Sequence, residues 1–268
     1  MARQAEQARG CGIAIMAKAS RAGLTKTRLV PPLDPADAAL CNTAFLKDVA
    51  DNLLRAARGE SIAGYVAYGP PGADAFFCQT LPAGIGLLEI WYPDFGLCLL
   101  KALEAQFARG HRAACVLNSD SPTLPSALLA EAASVLDGPG DRIVLGPSTD
   151  GGYYLLGCKQ VHARLFQGIA WSTEAVAAQT LERAAELGLD VHMLPIWYDV
   201  DDAETLRRAA RETLGGESFD PRIASSPARN TGDLLRHLIA EGRFDAHLAS
   251  FSRPQANAAA ALSGLAAR

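Results

Sequence analysis

Two rhythms of apolar and polar positions alternate along this chain. Short continuous apolar runs bounded by Gly and Pro stand between longer stretches in which apolar residues recur three and four apart. The first run, Gly12 to Ala17 (GIAIMA), reads as a buried strand. Ile62 to Tyr68, Ala113 to Leu117, Ile143 to Leu145, Tyr153 to Leu156 and Val191 to Trp197 read the same way. Asp34 is placed to cap a helix with Pro35 in its first turn, and Leu40, Cys41, Ala44, Phe45, Val49 and Leu53 follow at helical spacing. Further helices are expected from Leu97 to Arg109, closed by Gly110, and from Pro125 to Leu136. A helix capped by Ser172 or Thr173 is expected to run to about Leu187, with Gly188 as its stop. Another opens at Asp202 and runs to about Thr213. Phe76 to Ile90 is ambiguous, with strand pieces broken by Pro82, Gly84 and Gly86.

Strands alternating with helices predict an α/β fold with a mostly parallel central sheet and helices on both faces. Such sheets take ligands at the carboxyl ends of their strands. The predicted domain covers residues 11–213. Residues 214–268 read as a linker rich in Gly, Ser and Pro, a helix over Asn230 to Ile239, and an Ala-rich end expected to fray.

Composition narrows the function. Lys and Arg number 25 against 29 Asp and Glu, a net charge of −4, which disfavours a protein that coats nucleic acid. Hydrophobic residues at 49 % and charged residues at 20 % exclude wholesale disorder. No two of the six cysteines lie within four residues of each other, so zinc-type pairs and a redox CxxC are absent, and reduced core thiols of a cytoplasmic protein are expected. Arg3, Arg9 and the apolar run before Ala17-Lys18-Ala19 share features with a secretory leader. The run is short and Glu6 interrupts the basic region, so the strand reading is preferred. No stretch reaches the roughly 20 apolar residues that cross a bilayer.

Four segments after predicted strands carry chemistry. The loop after the first strand clusters Lys18, Arg21, Lys26 and Arg28, suited to polyphosphate, although a charge run is more often a solvated loop. The Walker spacing is absent. Asn118-Ser119-Asp120-Ser121-Pro122 places an acid at a strand end, where Mg²⁺ or Mn²⁺ would take carboxylate and phosphate oxygens together; a turn Asp is the plain alternative. Ser148-Thr149-Asp150-Gly151-Gly152 allows close backbone approach to a ligand and equally reads as a hairpin turn. In Tyr198-Asp199-Val200-Asp201-Asp202 the first and third acids share one side of an extended segment, and Asp202 can cap the next helix. Acids this close need a cation, protons or solvent between them. Together the basic loop, the single Asp and the acidic pair form the layout expected for a metal-bound nucleotide diphosphate.

The motifs MAKASRAGLTKTRLVPPL, NSDSPTLP, LGPSTDGGYYLLG, IAWSTEAV and DVDDAETL, in that order, resemble a bacterial family of glycosyltransferases, the nucleotide-diphospho-sugar transferases. Some members are assigned to arsenosugar biosynthesis, and the family is distantly similar to phospholactate guanylyltransferase. The resemblance covers roughly Cys11 to Thr213 and implies a GT-A type fold. By that resemblance Lys18, Lys26 and Arg28 line the nucleotide and diphosphate site. Asp120 is the principal metal ligand and Asp201 completes the site. Asp150, with Gly151 and Gly152, faces the sugar or acceptor, bordered by Trp171, Ser172, Thr173 and Glu174. An inverting transfer needs a base, for which Asp150 and Glu174 are the candidates. The chain departs from the family pattern at Ser121 (commonly Cys), at Pro93-Asp94-Phe95-Gly96 (usually Gly-Asp-Leu-Gly), at Cys98 (an Arg position), and in the last fifty or so residues, beyond the usual length.

The expected activity is metal-dependent transfer of a sugar from a nucleotide-diphosphate donor to a small acceptor, with no nucleic-acid or membrane partner and a homodimer through the extension as one option. The first alternative is a nucleotidyltransferase joining an NTP to a phosphorylated small acid. The second is a non-catalytic nucleotide- or protein-binding relic of the fold. His111, His162 and His192 fall in no motif and read as structural or surface residues.

Overall fold

The computed structural model describes residues 9–245. Its centre is a seven-stranded sheet of β1 (Arg9–Lys18), β2 (Ile62–Gly69), β3 (Gly86–Glu89), β4 (His111–Leu117), β5 (Arg142–Pro147), β6 (Tyr153–Cys158) and β7 (Asp190–Met193), in the order β3-β2-β1-β4-β6-β5-β7. Only β6 runs against its neighbours β4 and β5; the other pairings are parallel. The sheet is mostly parallel, as the alternation of strands and helices predicts.

The helices are α1 (Pro35–Ala56), α2 (Asp74–Thr80), α3 (Phe95–Phe107), α4 (Ser126–Asp137), α5 (Val176–Glu186), α6 (Ala203–Thr213) and α7 (Arg229–Ala240). Strand alternation divides the core in two. Cys11, Ile13 and Ile15 of β1 face a cluster with residues of α1, α4, α6 and α7, whereas Ala14 faces residues of α3 and α5. The run read as leader or strand is thus a central buried strand.

Local signals set several boundaries. The Asp34 carboxylate accepts the Asp37 amide at 2.8 Å, and Pro35 stands in the first turn of α1. Asp202 and Thr205 form a capping box at the start of α6. Three expectations need correction. The ambiguous segment contains a true helix, α2, whose Phe77 is fully buried against Tyr68 with ring centroids 4.8 Å apart. Neither Ser172 nor Thr173 caps α5: the Thr173 hydroxyl donates to the Ala170 carbonyl, Ser172 is left-handed, and the helix begins only at Val176. The last strand stops at Met193; beyond it the Leu194 and Trp197 amides still donate to the Leu145 and Pro147 carbonyls of β5, and Trp197 forms an isolated bridge with Ser148.

The segment expected as a linker lies against the domain. Phe219 packs on Trp197 and Tyr198, and the Ser226 amide donates to the Thr123 carbonyl at 3.0 Å. At the start of α7, Ala228 offers no side-chain cap. The buried Asp48 of α1 fills that role, accepting the Asn230 and Thr231 amides at 2.9 and 2.8 Å and the Asn230 side-chain amide at 2.9 Å. A carboxylate at a helix N-terminus meets both unpaired amides and the positive end of the dipole. Burial nevertheless dominates and raises the Asp48 pKa, with the bonds from Thr231 and Asn230 opposing it. The Ala-rich end lies outside the described residues.

Candidate active site

The loops after β1, β4, β5 and β7 converge at the carboxyl edge of the sheet. Lys26 is at their centre. Its Nζ donates to Asp120 Oδ2 at 2.5 Å and to Asp201 Oδ1 at 2.6 Å, and its side chain is only 8 % exposed. Arg28 Nη2 reaches the other oxygen of Asp201 at 2.5 Å from an exposed position. Lys26 adopts φ +50°, a conformation that costs free energy for a side-chain-bearing residue and persists where surroundings hold it. Its two ion pairs supply that hold.

Asp150, Asp199 and Asp201 each offer an oxygen, and these atoms all lie within 4.8 Å of one another. Asp120 pairs with Lys26 beside this group. Burial works against ionisation of Asp201, but Lys26 and Arg28 outweigh it and hold its pKa below the ordinary value. Burial likewise disfavours the Lys26 cation, and Asp120 and Asp201 outweigh it, so the Lys26 pKa rises. Asp199 has no such partner. Burial first, then the charges of Asp120, Asp150 and Asp201, push its pKa up to about 8, with Lys26 only partly offsetting them.

The backbone explains the convergence. The Val200 amide donates to the Asp120 carbonyl at 2.9 Å, and the Thr149 amide donates to the Trp197 carbonyl at 3.0 Å. The 197–201 segment therefore fastens the Asp120 loop on one side and the Asp150 turn on the other. The Asp150 turn joins β5 and β6 as a hairpin, and its carboxylate accepts the Gly152 amide at 2.9 Å. Gly151 stands at φ +88°, where an added Cβ would lie 2.2 Å from the Glu174 carbonyl oxygen. Only glycine permits this contact between the turn and the 171–175 segment.

Known proteins resemble this chain in sequence or fold. A family model described as an uncharacterized protein conserved in bacteria, DUF2064, matches residues 52–173. The crystal structure of a proposed nucleotide-diphospho-sugar transferase from Desulfovibrio desulfuricans G20 superposes with a TM-score of 0.72 at 28 % identity, covering 86 % of this chain and 95 % of that one. This chain is similar to the nucleotide-diphospho-sugar transferases. A cytidylyltransferase from Leptospira borgpetersenii matches with a TM-score of 0.49 at 12 % identity, covering 91 % of this chain and 99 % of that one. A CMP:2-keto-3-deoxy-manno-octonic acid synthetase complexed with CTP gives 0.48 at 12 % identity, covering 75 % and 96 %. Neither value supports transfer of a reaction. No curated protein matches the sequence.

The remaining family-motif residues lie around this centre. Lys18, exposed at the end of β1, has its Nζ 5.7 Å from the Trp91 ring rather than among the acids. Trp171 meets Phe95 edge-to-face at 5.3 Å, which brings the WSTEA segment against the departure at Pro93-Asp94-Phe95-Gly96. Ser172, Thr173 and Glu174 are exposed. Cys98, at the family's Arg position, is buried, and its Sγ bonds the Tyr92 backbone at 3.3 and 3.4 Å. Sequence reasoning placed Asp199 beside Asp201 without giving it a role. The signals available were the alternation of side chains in YDVDD and, for Asp150, its place directly after a strand. His111, His162 and His192 pair elsewhere, His111 with Tyr65, His162 with Asp141 and His192 with Glu131.

Among the described residues, no helix is long and apolar enough to cross a membrane. No disulfide links the six cysteines, of which only Cys78 is exposed.

Proposed function

We propose that this chain is a divalent-cation-dependent glycosyltransferase moving a sugar from a nucleotide-diphosphate donor to a small acceptor. The observation that carries this reading is the charge imbalance at the carboxyl edge of the sheet. Among the described residues Asp120, Asp150, Asp199 and Asp201 gather around Lys26 and Arg28, and burial together with the neighbouring carboxylates pushes the Asp199 pKa up to about 8. A cluster of hard oxygen donors with surplus negative charge fits Mg²⁺ or Mn²⁺. Asp150, Asp199 and Asp201 would hold the ion, with Asp120 beside them, and the ion when bound would neutralise charge on a departing diphosphate.

The protein's own groups account for the rest. Lys26 and Arg28 stand on the loop after β1, within reach of phosphate oxygens in the same crevice, and they deliver charge-assisted bonds to the leaving group. Gly151 and Gly152 let the backbone approach the sugar. Glu174, or Asp150 where it does not hold the ion, takes the proton of the acceptor hydroxyl if the transfer inverts. Lys18 beside Trp91 extends the basic surface toward the nucleoside end.

A thermal-shift screen of UDP, GDP, CDP, TDP and their common sugars, with and without Mn²⁺, tests the reading. A ligand at about 100 times its Kd stabilises by about 2.7 kcal/mol. A metal-dependent shift with one diphosphate family, followed by release of that nucleoside diphosphate on adding acceptor, is expected. Release of pyrophosphate from an NTP and a phosphorylated acid would replace this reading with nucleotidyl transfer.

A further inference from the structure

The acids of the site repel one another, yet their loops are held at fixed spacing. The 197–201 segment is the common fastener, through the Val200–Asp120 and Thr149–Trp197 backbone bonds. What secures that segment comes from the carboxyl side of the chain. Tyr198, next to Asp199, is 1 % exposed and its hydroxyl sits between two partners. It accepts from the Thr123 hydroxyl at 3.0 Å and donates to Glu212 Oε2 at 2.5 Å. Trp197, fully buried, donates its indole N–H to the same Thr123 hydroxyl at 3.3 Å.

Glu212 lies near the end of α6 and binds in two directions. Its Oε2 takes Tyr198, while its Oε1 takes the Phe219 amide at 2.9 Å and the Ser225 hydroxyl. Phe219 then covers both aromatics, 5.3 Å from the Trp197 ring and 5.3 Å from the Tyr198 ring. Arg208 closes the stack, 5.1 Å from the Phe219 ring and 5.8 Å from Tyr198. Ser226, further along the strap, bonds Thr123 and the first amide of α4. A half-buried carboxylate with three donors around it fixes its neighbours strongly, because charge-assisted bonds are the strong ones.

We infer that residues 214–228 form a positioning strap: through Glu212 and Tyr198 it holds Asp199 and Asp201 at their spacing from Asp120 and Asp150. Glu212, Tyr198 and Phe219 are positioning residues that touch no substrate. The strap lies beyond the span of the sequence motifs, residues 11–213, and restrains the acid loops from outside it. The part of the inference that concerns cation affinity rests on the proposed function; the part that concerns loop spacing does not.

The test uses the full chain and two readouts. The first is amide hydrogen exchange at Val200, whose N–H bonds the Asp120 carbonyl, with the β1 amides as a measure of global opening. The second is Mn²⁺ affinity from the free-ion EPR signal. Glu212→Ala and Tyr198→Phe are expected to speed Val200 exchange by about tenfold or more with β1 exchange unchanged. Glu212→Gln keeps one oxygen for the Phe219 amide and turns an amide N–H toward the Tyr198 oxygen, so it is expected to restore part of the protection. Mn²⁺ affinity is expected to fall by about tenfold in Glu212→Ala, the scale seen when supports of metal ligands are removed. If Glu212→Ala does not fold, Tyr198→Phe, which loses one hydroxyl, decides alone. Val200 exchange that speeds only in step with β1 overturns the strap. Faster Val200 exchange with unchanged Mn²⁺ affinity overturns its effect on the cation site. A wild-type chain that fails to bind Mn²⁺ refutes the metal reading, and the exchange result still decides the strap.

Discussion

Asp199→Asn separates the electrostatics of the acid cluster from its packing. The folded protein ionises Asp199 only at about 8, while the unfolded chain does so near its ordinary value of 3.8. Between those values folding takes up a proton, so stability falls as pH rises, by about 1.4 kcal/mol per pH unit for a fully independent group. Asp120, Asp150 and Asp201 share the field, and sharing spreads the proton over the cluster. Between about pH 5.5 and about pH 7.5 the loss is therefore about 2 kcal/mol. Asparagine keeps the shape and carries no charge, so the variant escapes this loss. Metal-free melting of both proteins at the two pH values is the assay. The variant's gain in Tm over wild type is expected to be larger at the higher pH by about 4–8 °C, at about 2–4 °C per kcal/mol for a domain of this size. Mn²⁺ is expected to stabilise wild type more at the higher pH and the variant little at either. Equal gains at both pH values would refute the argument, because they would place the effect in packing rather than in a proton.

Asp120→Ala is expected to abolish Mn²⁺-dependent nucleotide binding and to leave Lys26 with one carboxylate; full binding, measured by calorimetry, would remove Asp120 from the site. Asp48→Ala strips both N-terminal amides of α7 of their acceptor and is expected to destabilise the fold by about 2–3 kcal/mol in urea denaturation. Gly151→Ala forces a Cβ into the Glu174 backbone at a positive φ, so a stability loss of about 1–3 kcal/mol is expected, together with a larger fall in kcat than in donor affinity. Lys26→Met leaves Asp120 and Asp201 uncompensated; donor diphosphate affinity is expected to drop by at least about tenfold at constant Mn²⁺, read by the same calorimetry.

What the sequence by itself determined is periodic and local. Apolar runs became strands because burial on both faces of a parallel sheet demands continuous hydrophobicity. Asp34 with Pro35, and Asp202 with Thr205, fixed helix starts through bonds that reach only three residues. The Asp150-Gly151 turn joined its strands as a hairpin. Lys26, Arg28, Asp120, Asp150 and Asp201 could be named because each follows a strand, and parallel strands deliver their carboxyl ends to one edge.

The rest needed the folded chain. The seven-residue α2 has too little length to show a period, and its existence depends on Phe77 packing on Tyr68. Thr173 spent its hydroxyl on Ala170 rather than on a cap, and α5 begins only at Val176. Asp199 reads as one acid among several until burial and three neighbouring carboxylates converge on it. The strap looks like a linker in composition, and its function depends on contacts from Phe219 to Trp197 and from Glu212 to Tyr198 across separate elements. Periodicity encodes which face of an element is buried. It carries no information about which distant side chain meets that face, because that is decided by how the sheet order folds the chain back on itself.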